Sequence, residues 1–205
     1  MARTQSKNFP EIRRAILQRA AAVFAEQGYA NTSIADLAQA NGTSRGLLYH
    51  YFESKEALLS EMLNAHLDMM LAEVTAAART SGDATERFRA AAGCMVRINA
   101  ASKDLQIVLL HDLRNLGADD RQVIVAKQRQ ILDVVTGLIG EIETAGRLDD
   151  HNRMAHTMMF IGMINYTYVW YDPDGPVGPD EYAQMVLDTY LNGLNGLNST
   201  RGGDA

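Results

Sequence analysis

TSIADLAQANGTSRGLLYHYFESK, residues 32–55, is two short helical patterns joined by a turn. Ser33 precedes the first pattern as a cap whose hydroxyl can accept from a free amide, and Asp36 stands three residues on like a capping-box acid. Ile34, Leu37 and Ala38 recur on one helical face. Asn41-Gly42 stops that segment, because both residues tolerate the left-handed backbone of a sharp turn. Thr43 or Ser44 opens the next, and Leu47, Leu48 and Tyr51 form its apolar side. Two short helices around a Gly-containing turn are a helix-turn-helix, whose second helix can lie in the DNA major groove.

That second helix carries Ser44, Arg45, Tyr49, His50 and, just beyond it, Lys55. These hydroxyl, phenol, imidazole and cationic donors suit phosphate oxygens and base edges. A helix meant only to pack does not need so many. The stretch resembles the DNA-binding domain of TetR-type transcriptional regulators. That family typically reads Thr-Ser-x-x-Asp-Ile/Leu-Ala, then Gly-x-Ser-x-Gly-x-Leu/Ile-Tyr-x-Tyr/His-Phe, then Ser-Lys-Glu-x-Leu. Here the positions are Thr32-Ser33, Asp36-Leu37-Ala38, Gly42-Thr43-Ser44-Arg45-Gly46, Leu48-Tyr49-His50-Tyr51-Phe52 and Ser54-Lys55-Glu56-Ala57-Leu58. The match is free of gaps and covers about the first sixty residues. It implies DNA contact by Thr32, Ser33, Thr43, Ser44, Arg45, Leu47, Tyr49, His50, Tyr51 and Lys55. By chemistry, Ser44, Arg45, Tyr49 and His50 are assigned to the groove, and Thr32, Ser33, Tyr51 and Lys55 to phosphates.

Gly42-Thr43-Ser44-Arg45-Gly46 also fits the nucleophile elbow of hydrolases. The elbow needs a strand before its serine, and the residues before Ser44 are helical in period, with no β-branched run.

The chain of 205 residues is 47% hydrophobic and holds 4 prolines. This composition, with few β-branched runs, points to an all-α protein with a substantial core. No apolar run approaches the ~20 residues that cross a bilayer, so no membrane association is expected. The first residues are basic without an apolar core, unlike a secretory signal. The single cysteine, Cys94, excludes an internal disulfide and a multi-cysteine zinc site, and fits a reduced cytoplasmic location. The net charge of −6 is unevenly spread. Residues 1–56 hold seven Lys and Arg against five Asp and Glu, a net +2, which leaves −8 for the remainder. A mildly basic end on an acidic body fits DNA contact at that end.

Arg3 to Lys7 reads as a mobile arm able to reach a phosphate or minor groove, or as a solvated tail. Pro10 suits the first turn of a helix that runs to about Gln27, with Ile12, Ala15, Ile16, Ala20, Val23 and Phe24 as its buried stripe and Gly28 as its end. Arg13 and Arg14 read as solvated face, and Tyr29 as a core or hinge residue. From Ser54 a fourth helix carries Leu58, Leu59, Met62, Leu63, His66, Leu67 and Met70 on one side, until Ser81-Gly82-Asp83 breaks it. Further helices are expected over about 84–102, 105–116, 119–145 (ended by Gly146), 151–171 and 179–197. The expected organisation is a helix-turn-helix domain over 1–53, an effector-binding and dimerisation domain over 54–197 and a disordered tail over 198–205, with about nine helices in all.

The stretch MMFIGMINYTYVWY, residues 158–171, is apolar nearly all round, so it should be buried nearly all round, with one face free for a second subunit. The helix after it, with Tyr182, Met185, Val186, Thr189 and Tyr190, is apolar enough to pair with it. Doubled by a two-fold axis, the last two long helices make an intersubunit four-helix bundle. The resemblance implies the same homodimer, which would read both halves of a near-palindromic operator. A small-molecule effector altering the spacing of the two recognition helices would end binding.

His111, Arg114 and Asn115 fall close together on one expected short helix, and Arg114 could meet an anion or an acid of the body. The segment Trp170-Tyr171-Asp172-Pro173-Asp174-Gly175-Pro176, with the stretch near His111, is similar to the TetR-type subgroup that senses acyl-CoA thioesters. The expected effector is therefore an acyl-CoA, with no bound cofactor. The candidate ligand residues are Met95, Ile98, His111, Arg114, Asn115, Phe160, Met163, Asn165, Tyr168 and Trp170. A regulator that senses cationic or hydrophobic drugs and a DNA-binding protein without effector are the competing readings; Glu61, Glu73, Asp112 and Glu141 would serve the cationic-drug case. Enzyme signatures are missing: no histidine follows Glu by three residues, and no His-Glu-x-x-His or phosphate-binding glycine pattern occurs. No metal site is expected.

Overall fold

The computed structural model describes residues 9–143 and 148–196, with side chains of the last segment to Gly193. The arm, the stop at Gly146 and the tail lie outside the described residues. The described residues form ten α-helices and a 3-10 turn, and no strand. Counting the last two pieces before α10 as one interrupted helix gives the nine expected.

The chain divides into two compact units. One combines residues up to 66 with 104–125, and the other combines 67–103 with residues from 126 onward. By packing, then, the division does not fall at 53/54. Helices α4 and α7 are each shared between the units, so the expected boundary can only be a functional one.

In the first unit, α1 (Phe9–Gln27), α2 (Ile34–Ala40) and α3 (Arg45–Tyr51) make the helix-turn-helix with its brace. Ser33 Oγ accepts from Asp36 N and the Asp36 carboxylate accepts from Ser33 N, so the capping box forms as read. Gly42, at φ +60°, makes the turn after α2. Ser44 caps α3, its Oγ accepting from Leu47 N. Helix α1 buries Ile16, Ala20, Ala21 and Phe24. The expected stripe is thus narrower, because Ile12 is 40% exposed and Ala15 is open to solvent.

Helix α4 (Lys55–Ala78) starts at Ser54, whose Oγ accepts from Ala57 N at 2.9 Å. All seven residues expected on its inner side are buried. Helix α6 (Lys103–His111) stops earlier than expected. Asp112 leaves helical backbone (φ −108°, ψ 0°) and a 3-10 turn, Leu113–Asn115, precedes α7 (Ala118–Ile142). At the break the Asp112 carboxylate turns inward to accept from Asn115 Nδ2 at 3.0 Å and from the distant Tyr29 N at 3.4 Å. Short acids bind nearby amides in this way at the expense of helix. His111, Arg114 and Asn115 therefore straddle a break rather than share one helix.

The second unit holds α5 (Ala84–Ala101), α8 (Arg153–Asn165), α9 (Thr167–Trp170) and α10 (Pro179–Gly196). Asp83 and Glu86 form a second capping box at α5. Helix α5 packs on α8, α9 and α10. Phe88, Phe160 and Tyr190 meet there, with ring centroids 4.7, 5.9 and 5.3 Å apart. Burying each such ring contributes roughly 1.5–3 kcal/mol. The 158–171 stretch is not buried all round. Thr157, Phe160, Ile161, Ile164 and Thr167 face inward, while Met159 is 62%, Tyr166 60% and Trp170 56% exposed. Apolarity on the second face reflects a surface this single chain does not cover.

Candidate DNA-binding face and effector site

Helix α3 presents Arg45, Leu47, Tyr49 and His50 to solvent, with Ser44 exposed at its cap and Thr43 half-exposed before it. The helix is held from behind. Leu48 and Tyr51 are buried. Phe9 stacks on Tyr51 at 4.6 Å and meets the edge of His50 at 6.0 Å. Arg13 pairs bidentately with Glu61, donates to the Tyr51 carbonyl at 2.8 Å, and lies 4.6 Å over the Phe52 ring. The bond to Glu61 raises the Arg13 pKa. A guanidinium shared among a carboxylate, a carbonyl and a ring fixes the end of α3 relative to α1 and α4. Arg13 is thus half-buried rather than solvated face. Its position three residues before Ile16, on the buried stripe, was the available signal. Phe9 was missed; an aromatic just before Pro10 was the clue.

Four residues expected to touch DNA are placed differently. Lys55 Nζ donates to the carbonyls of Tyr29 and Thr32, both at 2.7 Å, and lies 4.1 Å over the Tyr29 ring. The ammonium, read in the sequence as a phosphate ligand, binds the turn between α1 and α2. Thr32 is 2% exposed and its Oγ1 donates to the Gly28 carbonyl at 2.9 Å, so it too is internal. Tyr51 is buried by Phe9. Ser33 is exposed, but its hydroxyl donates to Asp36 at 2.6 Å as part of the cap. Those bonds to Ser33 hold the Asp36 carboxyl below its ordinary range.

The ten ligand candidates are divided between the two units. His111, Arg114 and Asn115 belong to the first unit, and the other seven to the second. Met95 and Phe160 are core, at 3% and 0% exposure. Asn165 Oδ1 accepts a long 3.5 Å contact from Asn99 Nδ2. Met163 and Trp170 alone among them line an open groove of about 870 Å³ along α8, α9 and α10. Its other walls include Met159, Tyr166, Tyr182 and Met185. Tyr182 is fixed in it, donating to the Met163 carbonyl at 2.8 Å, and Trp170 packs edge-on to Tyr182 at 5.5 Å. Ile98 is half-buried and Tyr168 half-exposed outside that groove. Three of the four acids weighed for a cationic drug are engaged: Glu61 by Arg13, Glu141 by Arg87, and Asp112 by Tyr29 and Asn115. Among the described residues no group of three His, Cys, Asp or Glu could hold a metal ion, and no helix is long and apolar enough to cross a membrane.

Two family descriptions match the chain. "Bacterial regulatory proteins, tetR family" matches residues 16–62, and "Tetracyclin repressor-like, C-terminal domain" matches residues 81–194. A crystal structure of a TetR-family transcriptional regulator from Bordetella parapertussis 12822 is 39% identical, with a TM-score of 0.86, covering 90% of this chain and 96% of that one. The HTH-type transcriptional repressor KstR2 of Rhodococcus jostii is 26% identical over 87% of this chain and 89% of its own length. The crystal structure of AibR in complex with isovaleryl coenzyme A and operator DNA is 26% identical, with a TM-score of 0.75, covering 87% and 97%. A capped, braced helix-turn-helix over the first match and an all-helical body over the second agree with these likenesses, and the chain belongs to the TetR family of bacterial transcriptional regulators.

Proposed function

We propose that the chain is a cytoplasmic, homodimeric repressor that leaves its operator on binding an acyl-CoA thioester. The observation that carries the DNA reading is α3 itself. Its polar side chains from Ser44 to His50 point outward, while Phe9, Arg13 and the buried face hold it rigid. A fixed helix whose outer face is Arg, Tyr and His reads base edges. Arg45 is the residue best suited to a bidentate guanine contact, with Tyr49, His50 and Ser44 beside it. Thr43 and Leu47 flank them.

The dimer reading rests on the α8–α10 groove. Met159 at 62% and Met185 at 52% exposure face it, as do Tyr166 and Trp170. A contiguous apolar face of this kind on two long helices marks a protein interface, and a second copy of the chain completes a four-helix bundle. The effector reading is supported by the isovaleryl-CoA complex of the AibR relative and by the Trp170-to-Pro176 turn. The acyl chain needs an apolar site and the nucleotide needs cations.

Fluorescence anisotropy on DNA upstream of the chain's own gene, repeated with a panel of acyl-CoAs, tests this. Tight binding released by one acyl-CoA supports the whole reading. Tight binding that no acyl-CoA disturbs removes the effector and leaves the repressor.

A further inference from the structure

The end of α6, the 3-10 turn and the first turn of α7 enclose an open depression of about 550 Å³. It is lined by Leu110, His111, Asp112, Leu113, Arg114 and Arg121, all within the unit that carries the helix-turn-helix. Arg114 and Arg121 are exposed, and among the described residues neither makes an ion pair. Arg13, Arg87, Arg89, Arg97 and Arg153, in contrast, each reach an acid. The one carboxylate of the depression, Asp112, is 8% exposed and is already engaged by Asn115 Nδ2 and Tyr29 N. Asp119 and Asp120 open α7, but neither lines the depression.

Two guanidiniums around one concavity match the oxygens of a phosphate, since each offers a planar fork of donors and keeps its charge. Leu110, 40% exposed, and Leu113 supply an apolar wall for the organic part of a phosphate ester. We propose that this depression binds a phosphate group from outside the chain, in the first place the anionic end of the effector. The inference rests on the effector reading above and gives that end a location; a DNA backbone phosphate has the same chemistry and is the other source. The site has a lever. Asp112 lies between the arginine-bearing turn and the backbone of Tyr29, at the bend between α1 and α2. A phosphate that draws Arg114 inward acts on the residue that holds that bend.

The test compares the full-length protein with the double variant Arg114→Gln/Arg121→Gln. Both positions are exposed, so folding should be unaffected, and each single variant provides a check. Calorimetry with coenzyme A and with inorganic pyrophosphate should show binding that weakens at least tenfold in the double variant, on the scale of losing charge-assisted bonds. Operator affinity should stay within about twofold. If DNA is the source, the double variant instead binds the operator more weakly with a salt slope lower by about two, and coenzyme A is indifferent to the change. Loss of pyrophosphate binding in the variant, with no acyl-CoA affecting DNA, keeps the site and ends the effector reading. Release by an acyl-CoA with equal affinity in both proteins, and an unchanged salt slope, keeps the effector and overturns the site.

Discussion

Lys55→Met separates an internal role from a DNA-contacting one. Methionine keeps the aliphatic stem and removes the ammonium, which donates to the Tyr29 and Thr32 carbonyls at 2.7 Å each and covers the Tyr29 ring at 4.1 Å. Bonds from a charged donor contribute about 1.5–3 kcal/mol each in favourable burial. Lys55 is only half-buried, so water takes up part of the loss, and a total of about 3 kcal/mol is expected. In a chain of this size that lowers Tm by roughly 6–12 °C. Urea unfolding followed by far-ultraviolet circular dichroism gives the stability. Anisotropy titrations across a range of salt give the number of phosphates neutralised, since the slope falls by about one for each lost contact. The expected result is a destabilised protein with an unchanged slope. A variant as stable as the parent, with the slope reduced by about one, would refute the internal assignment and restore Lys55 as a phosphate ligand.

Burial depresses the pKa of the His66 imidazole to about 4, and among the described residues its ring nitrogens have no hydrogen-bond partner. The unfolded chain therefore binds a proton that the fold rejects, so stability falls by about 3 kcal/mol as pH drops from 6.5 to 4, and His66→Leu should flatten that dependence in urea titrations. Asp36, held below its ordinary pKa by Ser33, contributes stability that is complete above the unfolded value near 3.8 and lost as pH falls through the folded one; the gap in Tm between the parent and Asp36→Asn should close below pH 3.8. Met159→Glu with Met185→Glu should turn the proposed dimer into a monomer in sedimentation velocity and abolish cooperative operator binding; an unchanged sedimentation coefficient would place the interface elsewhere.

Much of the first unit is legible because its signals are local. Ser33 with Asp36 announces a capping box, Gly42 a left-handed stop, and the spacing from Leu58 to Met70 the inner face of α4, and each forms as read. The errors arise where a side chain chooses between solvent and backbone. Nothing in the sequence says that Lys55 and Thr32 turn back onto carbonyls at the α1–α2 bend, and the place of Arg13 on the buried stripe does not by itself name Glu61 and α3 as its partners. The Asp112 carboxylate at the end of α6 takes its donors from the turn that follows and, 83 residues away, from Tyr29 N, and the second of these invites no local prediction. For the candidate ligand residues, helical spacing gives the face of one helix and not which faces of several helices meet.

In the proposed function α3 reads DNA as half of a symmetric pair. The most direct measurement is selection of binding sites from random duplex DNA by the parent protein and by Arg45→Ala, followed by sequencing. The parent should select a near-palindromic motif. The variant should lose preference at one symmetric pair of positions, with about 1–3 kcal/mol of discrimination gone per half-site. No enrichment over random DNA, or an identical motif from both proteins, would contradict it.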